Sequence, residues 1–238
     1  MLTGFSTVCF SGYTGVRHRK EAVRNIMDKY TKPHITESVL ITIDIQNDFT
    51  LDDAPAQISG TKEVIPNMSR LLEAYRNNQL PIIHVIRLYL RDGSNVDACR
   101  RQVIEEGKVV AAPETKGAEL VRELKSDSSI NLEPDELLSG KFQKIGENEF
   151  VMYKPRWGAF YETKLEEFLK KLGKDTLVFS GCNFPNCPRT SIYEASERDF
   201  RIVLVKDAIS QLYPKGEEEM INIGVNMLTT NEIQEHLA

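Results

Sequence analysis

Three side chains of this 238-residue chain supply the group types that covalent hydrolysis needs: an acid, Asp44, an ammonium, Lys154, and a thiol, Cys187. Each stands at the end of an apolar run. Val39-Leu-Ile-Thr-Ile43 leads into Asp44, and Phe150-Val-Met-Tyr153 leads into Lys154. Thr176-Leu-Val-Phe-Ser180 leads through a Gly, Asn and Pro turn to Cys187. Pro188 then takes a first-turn helix position, where its missing N–H costs nothing. A thiol so placed faces unpaired helix N–H groups and the positive end of the helix dipole, which favour thiolate over thiol. Nucleophile, base and a cation to hold them are the parts of covalent catalysis. Singly, each has a plainer reading. A cysteine can close a strand–helix corner as a small buried residue, a strand-end carboxylate can cap a helix, and a lysine tip can be solvated or ion-paired.

The elements that must position these groups alternate. Ser38–Asp44, Pro81–Arg87, Phe150–Lys154, Thr176–Ser180 and Arg201–Lys206 read as strands, apolar almost throughout, as strands covered on both faces are. Between them the spacing predicts helices over Glu63–Tyr75, Thr163–Leu172 (stopped by Gly173), from Cys187 onward, and Glu217–Leu228. Helical fragments are expected at Ala98–Glu106 and Ala118–Lys125, and Thr229–Ala238 reads as a short edge strand or a frayed tail. The class is α/β: a three-layer α/β/α sandwich with a mostly parallel five- or six-stranded sheet. Such sheets bind ligands beyond the carboxyl ends of their strands, where the strand order reverses. Residues 1–37 read as an amino-terminal arm followed by an amphipathic helix at His18–Tyr30. Residues 38–238 form the one domain, with no repeat, linker or low-complexity stretch.

Composition narrows the classes of function. A net charge of -5 argues against nucleic acid as a main partner. The four cysteines show no framework spacing, and Cys182 and Cys187 lack the CxxC pattern. Reduced thiols and a cytoplasmic location are expected. No basic region leads into an apolar run at the amino terminus, so no signal peptide is expected. No stretch has the roughly 18 apolar residues of a membrane span. The absence of a GxGxxG after the first strand counts against a dinucleotide-binding domain.

Val39-Leu-Ile-Thr-Ile-Asp-Ile-Gln-Asn-Asp-Phe49, Lys154-Pro-Arg-Trp-Gly-Ala-Phe160 and Gly181-Cys-Asn-Phe-Pro-Asn-Cys187 resemble the three signatures of the isochorismatase-like cysteine hydrolases. That family includes nicotinamidases, N-carbamoylsarcosine amidase and ureidoacrylate amidase. The likeness covers about residues 38–230, and Val205-Lys-Asp-Ala208 resembles the family's fifth-strand ending. It implies a catalytic triad of Asp44, Lys154 and Cys187. It also implies a non-proline cis peptide at Cys182–Asn183 that turns the Asn183 N–H toward the Cys187 N–H as an oxyanion hole. The Phe184–Pro185 bond is a second place for a cis peptide, since an X–Pro bond adopts it at lower cost. Phe184-Pro185 and Pro188 depart from the family's usual residues. Nicotinamidases of the family carry an Asp-x-His pair. The corresponding Leu51-Asp-Asp-Ala-Pro55 has no histidine, so no metal and no other cofactor is expected.

For substrate contacts the sequence offers Phe49, Trp157, Phe160 and Phe184 as pocket walls or core. Gln46 and Asn47 are offered as hydrogen-bonding partners of an amide or ureido group, and Arg87 and Arg156 as bidentate clamps for a carboxylate or as surface arginines. The activity implied is hydrolysis of a small, carboxylate-bearing amide, ureido or carbamoyl compound through a thioester. The rivals are vinyl ether cleavage of isochorismate and an interaction module without turnover. The expected partners are a small-molecule substrate and further copies of the chain, with neither nucleic acid nor membrane.

Overall fold

A computed structural model describes residues 28–238. The arm and most of the helix expected at His18–Tyr30 lie outside the described residues. Among the described residues seven strands form one sheet: β1 (Val39–Ile43), β2 (Ile82–Ile86), β3 (Gln143–Lys144), β4 (Glu149–Tyr153), β5 (Thr176–Gly181), β6 (Arg201–Ile209) and β7 (Asn226–Leu228). Their order is β3-β4-β2-β1-β5-β6-β7. Every pairing is parallel except β3 with β4. The five strands expected from sequence are the five central or long ones. The sheet exceeds the expected five or six because two-residue β3 and half-buried β7 carry no apolar run to announce them.

The helices are α1 (Asn47–Thr50), α2 (Thr61–Asn77), α3 (Ala98–Glu105), α4 (Pro134–Leu138), α5 (Leu165–Lys171), α6 (Cys187–Ser196), α7 (Pro214–Asn222) and α8 (Thr230–Leu237). They cover both faces of the sheet, which accounts for the unbroken apolar strands. Leu40, Val178 and Val203 join Met68, Leu71, Leu72 and Tyr75 of α2 and Ile233 of α8 in one core. Ile41, Phe179 and Leu204, one residue along each strand, pack with Leu165 and Leu169 of α5, Ile192 of α6 and Met220 of α7 in the other. Alternation places successive side chains on opposite faces, and each such burial stabilises the fold by about 1.5–3 kcal/mol.

Two expected elements are replaced. The helix expected over Glu217–Leu228 ends at Asn222, and the chain turns through Gly224 (φ 84°) into edge strand β7. The segment expected as edge strand or tail is α8, closed by a reciprocal capping box between Thr229 and Glu232. At Ala118–Lys125 only a 3₁₀ turn forms, Arg122–Leu124, because Leu120 bridges Gln46 as extended chain and buries there.

β1 leads on to β2 on one side and its neighbour β5 leads on to β6 on the other, so the connections leaving these two adjacent strands diverge. In sheets of this kind that switch point, at the carboxyl ends, is where ligands bind. Asp44, Arg87, Lys154 and the turn to Cys187 all lie at that edge.

Candidate active site

The ladders of the sheet set the site. The Asp44 N–H donates to the Val85 carbonyl (2.8 Å), the Lys154 N–H to Ile86 (3.0 Å) and the Cys182 N–H to Ile43 (2.9 Å). Each of these bonds extends a strand pairing by one residue beyond its end, so the three chains leave the sheet at one level. Asp44 then takes a left-handed backbone conformation (φ 54°), which Asp tolerates better than most residues. Its carbonyl accepts a hydrogen bond from the Cys182 thiol at 3.1 Å. Gly181 (φ 126°) packs so tightly on β1 that a Cβ there would overlap the Ile43 backbone.

Lys154 reaches past the end of β2 to Asp44, and its ammonium donates to Asp44 Oδ2 at 3.0 Å. Lys154 is fully buried and Asp44 nearly so. The other carboxylate oxygen, Oδ1, is buried with no hydrogen-bond partner. An orphaned buried acceptor on an ionised group is costly, so one oxygen of Asp44 stands ready to take a proton.

Cys187 opens α6 and is 3% exposed. Burial pushes its thiol up to about 11; the neighbouring Asp44 carboxylate pushes the same way, and Lys154 and Arg87 only partly offset them. The helix terminus was expected to favour the thiolate. In this enclosed position, loss of solvation and one adjacent carboxylate outweigh it. The proton therefore rests on sulfur at neutral pH, beside an acceptor without a partner.

The Cys182–Asn183 bond is a non-proline cis peptide, and Phe184–Pro185 is trans. The turn is held by the Phe184 N–H on the Ser210 carbonyl (2.9 Å) and the Asn186 N–H on that of Asn183 (3.0 Å). The N–H groups of Asn183 and Cys187 find no acceptor among the described residues. Helix α6 also holds the Lys154–Phe160 segment. Ser191 accepts from the Ala159 N–H (3.0 Å) while donating to the Cys187 carbonyl (2.7 Å), and Glu194 accepts from the Phe160 N–H (2.8 Å). A Cβ at Gly158 would displace the Glu194 carboxylate from this contact.

Several residues offered as substrate contacts are committed elsewhere. Gln46 is wholly buried; it donates to the Arg87 and Ala118 carbonyls and accepts from the Arg87 N–H. It ties the end of β2 to the segment after β1. Arg87, 1% exposed, donates to the carbonyls of Lys154 and Arg156, to the Tyr89 hydroxyl and to Asp97. No donor remains for a substrate carboxylate; it positions Lys154 instead. Strand-end location was visible in sequence, but not the acid ten residues later that claims the guanidinium. Phe49, Phe160 and Phe184 are core residues, Phe184 stacked edge-on against Tyr213. Asn47 donates to Lys116. Trp157 and Arg156 are half-buried, and Arg156 donates to the Asn95 and Pro155 carbonyls. One residue was overlooked: Arg100 of α3, which lies over the Trp157 ring (5.5 Å) and donates to Tyr89 (2.8 Å).

His84 is a satisfied core histidine, bonded to Thr42 (2.7 Å) and Glu149 (2.8 Å). Among the described residues no group of three or more His, Cys, Asp or Glu side chains converges so as to hold a metal ion.

Comparison with known proteins places this geometry. The isochorismatase domain model matches residues 38–232. A probable inactive nicotinamidase of Arabidopsis thaliana is 33% identical over 84% of this chain and 96% of its own. A ureidoacrylate amidohydrolase of Methylobacterium radiotolerans is 25% identical over 74% and 68%. The solved structure of an isochorismatase family protein from Desulfovibrio vulgaris superposes with a TM-score of 0.71 at 29% identity, covering 84% of this chain and 97% of that one. With the domain match, the relatives' identity and the superposed fold in agreement, the chain belongs to the isochorismatase-like hydrolase family.

Proposed function

We propose that this chain hydrolyses a small, carboxylate-bearing amide, ureido or carbamoyl compound through a thioester on Cys187, with Asp44 as base and Lys154 as its counter-ion. The observation that carries this reading is the buried Asp44–Lys154 pair, with Asp44 Oδ1 free of any N–H or hydroxyl donor among the described residues and the Cys187 thiol as its neighbour. As sulfur attacks the carbonyl carbon, its proton passes to Asp44 and the carbonyl π electrons move to oxygen. The backbone N–H groups of Asn183 and Cys187 are free to receive that oxyanion, and one such donor lowers the barrier by roughly 3–4 kcal/mol. Protonated Asp44 then delivers the proton to the leaving nitrogen as the C–N bond breaks. Next it takes a proton from water as the hydroxide adds to the thioester carbon, and it returns that proton to sulfur as the C–S bond breaks, which frees the acid product and restores the thiol and the carboxylate. Lys154 keeps the buried charge near neutral while Asp44 cycles.

Ammonia or amine release from a panel of small amides, ureido acids and carbamoyl compounds tests the reading. Turnover by the unaltered protein, abolished in Cys187→Ala while the circular dichroism spectrum persists, is expected. Full activity in Cys187→Ala would exclude the scheme. Pyruvate from isochorismate, with no amine from the panel, would move the reading to vinyl ether cleavage. The Arabidopsis relative's name raises a second possibility, a member without turnover, which an alkylation-resistant Cys187 and a silent panel would favour.

A further inference from the structure

Around Asp44 and Cys187 the charges do not cancel. Lys154, Arg87 and Arg100 stand against Asp44 and Asp97, so the cluster holds one positive charge in excess before Arg156 is counted. Two of those cations are committed: Lys154 to Asp44, and Arg87 to Asp97, Tyr89 and two carbonyls. Arg100 is different. Its side chain is 36% exposed, so a ligand can meet it. Nη1 is used by Tyr89 and stands 3.6 Å from Asp97, while Nε and Nη2 have no acceptor among the described residues. Asp97 also receives Arg87, which donates to the Lys154 carbonyl, and the ring under the guanidinium is Trp157, three residues after Lys154, so Arg100 stands against the segment that carries the ammonium.

We infer that Arg100 is the specificity-determining residue of this site and binds the carboxylate of an anionic substrate through Nε and Nη2. The inference rests on the hydrolase reading for the identity of the substrate, but not for the capture of the anion. Tyr89, Asp97 and the Trp157 ring hold the guanidinium in one orientation, so little side-chain freedom is lost on binding. A planar fork with two free donors matches a carboxylate. Arg156 is the competing cation. Its Nη1 is taken by Asn95 and its own chain neighbour, which turns it toward the loop before α3.

The test uses two alkylating agents that differ by one charge. Iodoacetate and iodoacetamide both transfer a two-carbon group to sulfur and release iodide, but only iodoacetate carries a carboxylate. Their rates at Cys187 are followed at pH 8 by mass spectrometry of the peptide that contains it, and the readout is the rate ratio. Dividing the rates removes any general change in thiol reactivity. Arg100→Gln is expected to lower the iodoacetate-to-iodoacetamide ratio about ten-fold, the range of a lost charge-assisted pair. Arg100→Lys, which keeps the charge but loses the fork, should lower it by about three-fold, and it serves where the glutamine variant does not fold. A ratio unchanged within two-fold in both variants, or a larger fall in Arg156→Gln, would overturn the assignment. The two readings fail separately. A silent amide panel with the ratio still dependent on Arg100 sinks the hydrolase and leaves the anion site; amide turnover with an indifferent ratio does the reverse.

Discussion

Asp44→Asn separates reactivity from catalysis, because the same carboxylate suppresses the thiolate and, in the proposed scheme, serves as base. In the unaltered protein the Cys187 thiol sits at about 11, with burial the largest cause and Asp44 the next. Removing a like charge at short range lowers a pKa by about 1–3 units; a fall of about two brings the thiol to about 9. At pH 8 the thiolate fraction then rises from about 0.001 to about 0.1, a factor of about one hundred. Intrinsic nucleophilicity falls with basicity at a Brønsted slope of about 0.45, which returns a factor of about eight. Iodoacetamide should therefore alkylate Cys187 roughly twelve-fold faster in Asp44→Asn, by the same two relations. Turnover of any amide substrate should fall by about 10²–10⁴, the usual worth of a positioned base. Both are read on one preparation, alkylation by peptide mass spectrometry and turnover by ammonia release. Slower alkylation, or turnover within a few-fold of the unaltered protein, would refute the assignment of Asp44.

Three further outcomes follow from particular contacts. Asp44→Asn strands a buried ammonium, a loss of about 3–5 kcal/mol; adding Lys154→Met should restore much of the thermal midpoint and none of the turnover, and a midpoint that stays low would show that the pair is not the cause. Gly158→Ala should push the Glu194 carboxylate off the Phe160 N–H and cost about 1–3 kcal/mol in urea unfolding. Combined with Glu194→Ala its cost should be sub-additive, and strict additivity would contradict the clash. Burial raises the Glu149 carboxyl, but hydrogen bonds from Arg76 and His84 overcome that and hold it at about 2, against an ordinary 4.5. A depressed carboxylate contributes stability present above pH 4.5 and lost as pH falls toward 2, here about 3 kcal/mol. Glu149→Gln should flatten the urea midpoint between pH 5 and pH 3, and an unchanged slope would assign acid lability elsewhere.

The parts of the molecule legible in sequence are those written in continuous local patterns. β1, β2, β4, β5 and β6 are unbroken apolar runs because both faces are covered; the acid and the lysine follow two of them directly, and the cysteine follows a third after a short turn. The Thr229-Thr-Asn-Glu232 pattern of a capping box was present ahead of α8, but it competes with a β-branched pair that also suits a strand. What sequence left hidden is long-range pairing of polar groups. Arg87 reads as a free strand-end cation until Asp97 and Tyr89 fold back on it, and Gln46 reads as a binding amide until its three bonds close on the main chain. Arg100 sits in a short polar helix with no apolar stripe, so only the fold brings it over Trp157.

A covalent intermediate on Cys187 is the species that distinguishes the proposed hydrolysis from every rival. Quenching the protein in acid during turnover of its best panel substrate and mapping the adduct by mass spectrometry should find an acyl group on the Cys187 peptide, released by hydroxylamine and absent in Cys187→Ser. An acyl group on another residue, or continued amide hydrolysis by Cys187→Ala, would contradict it.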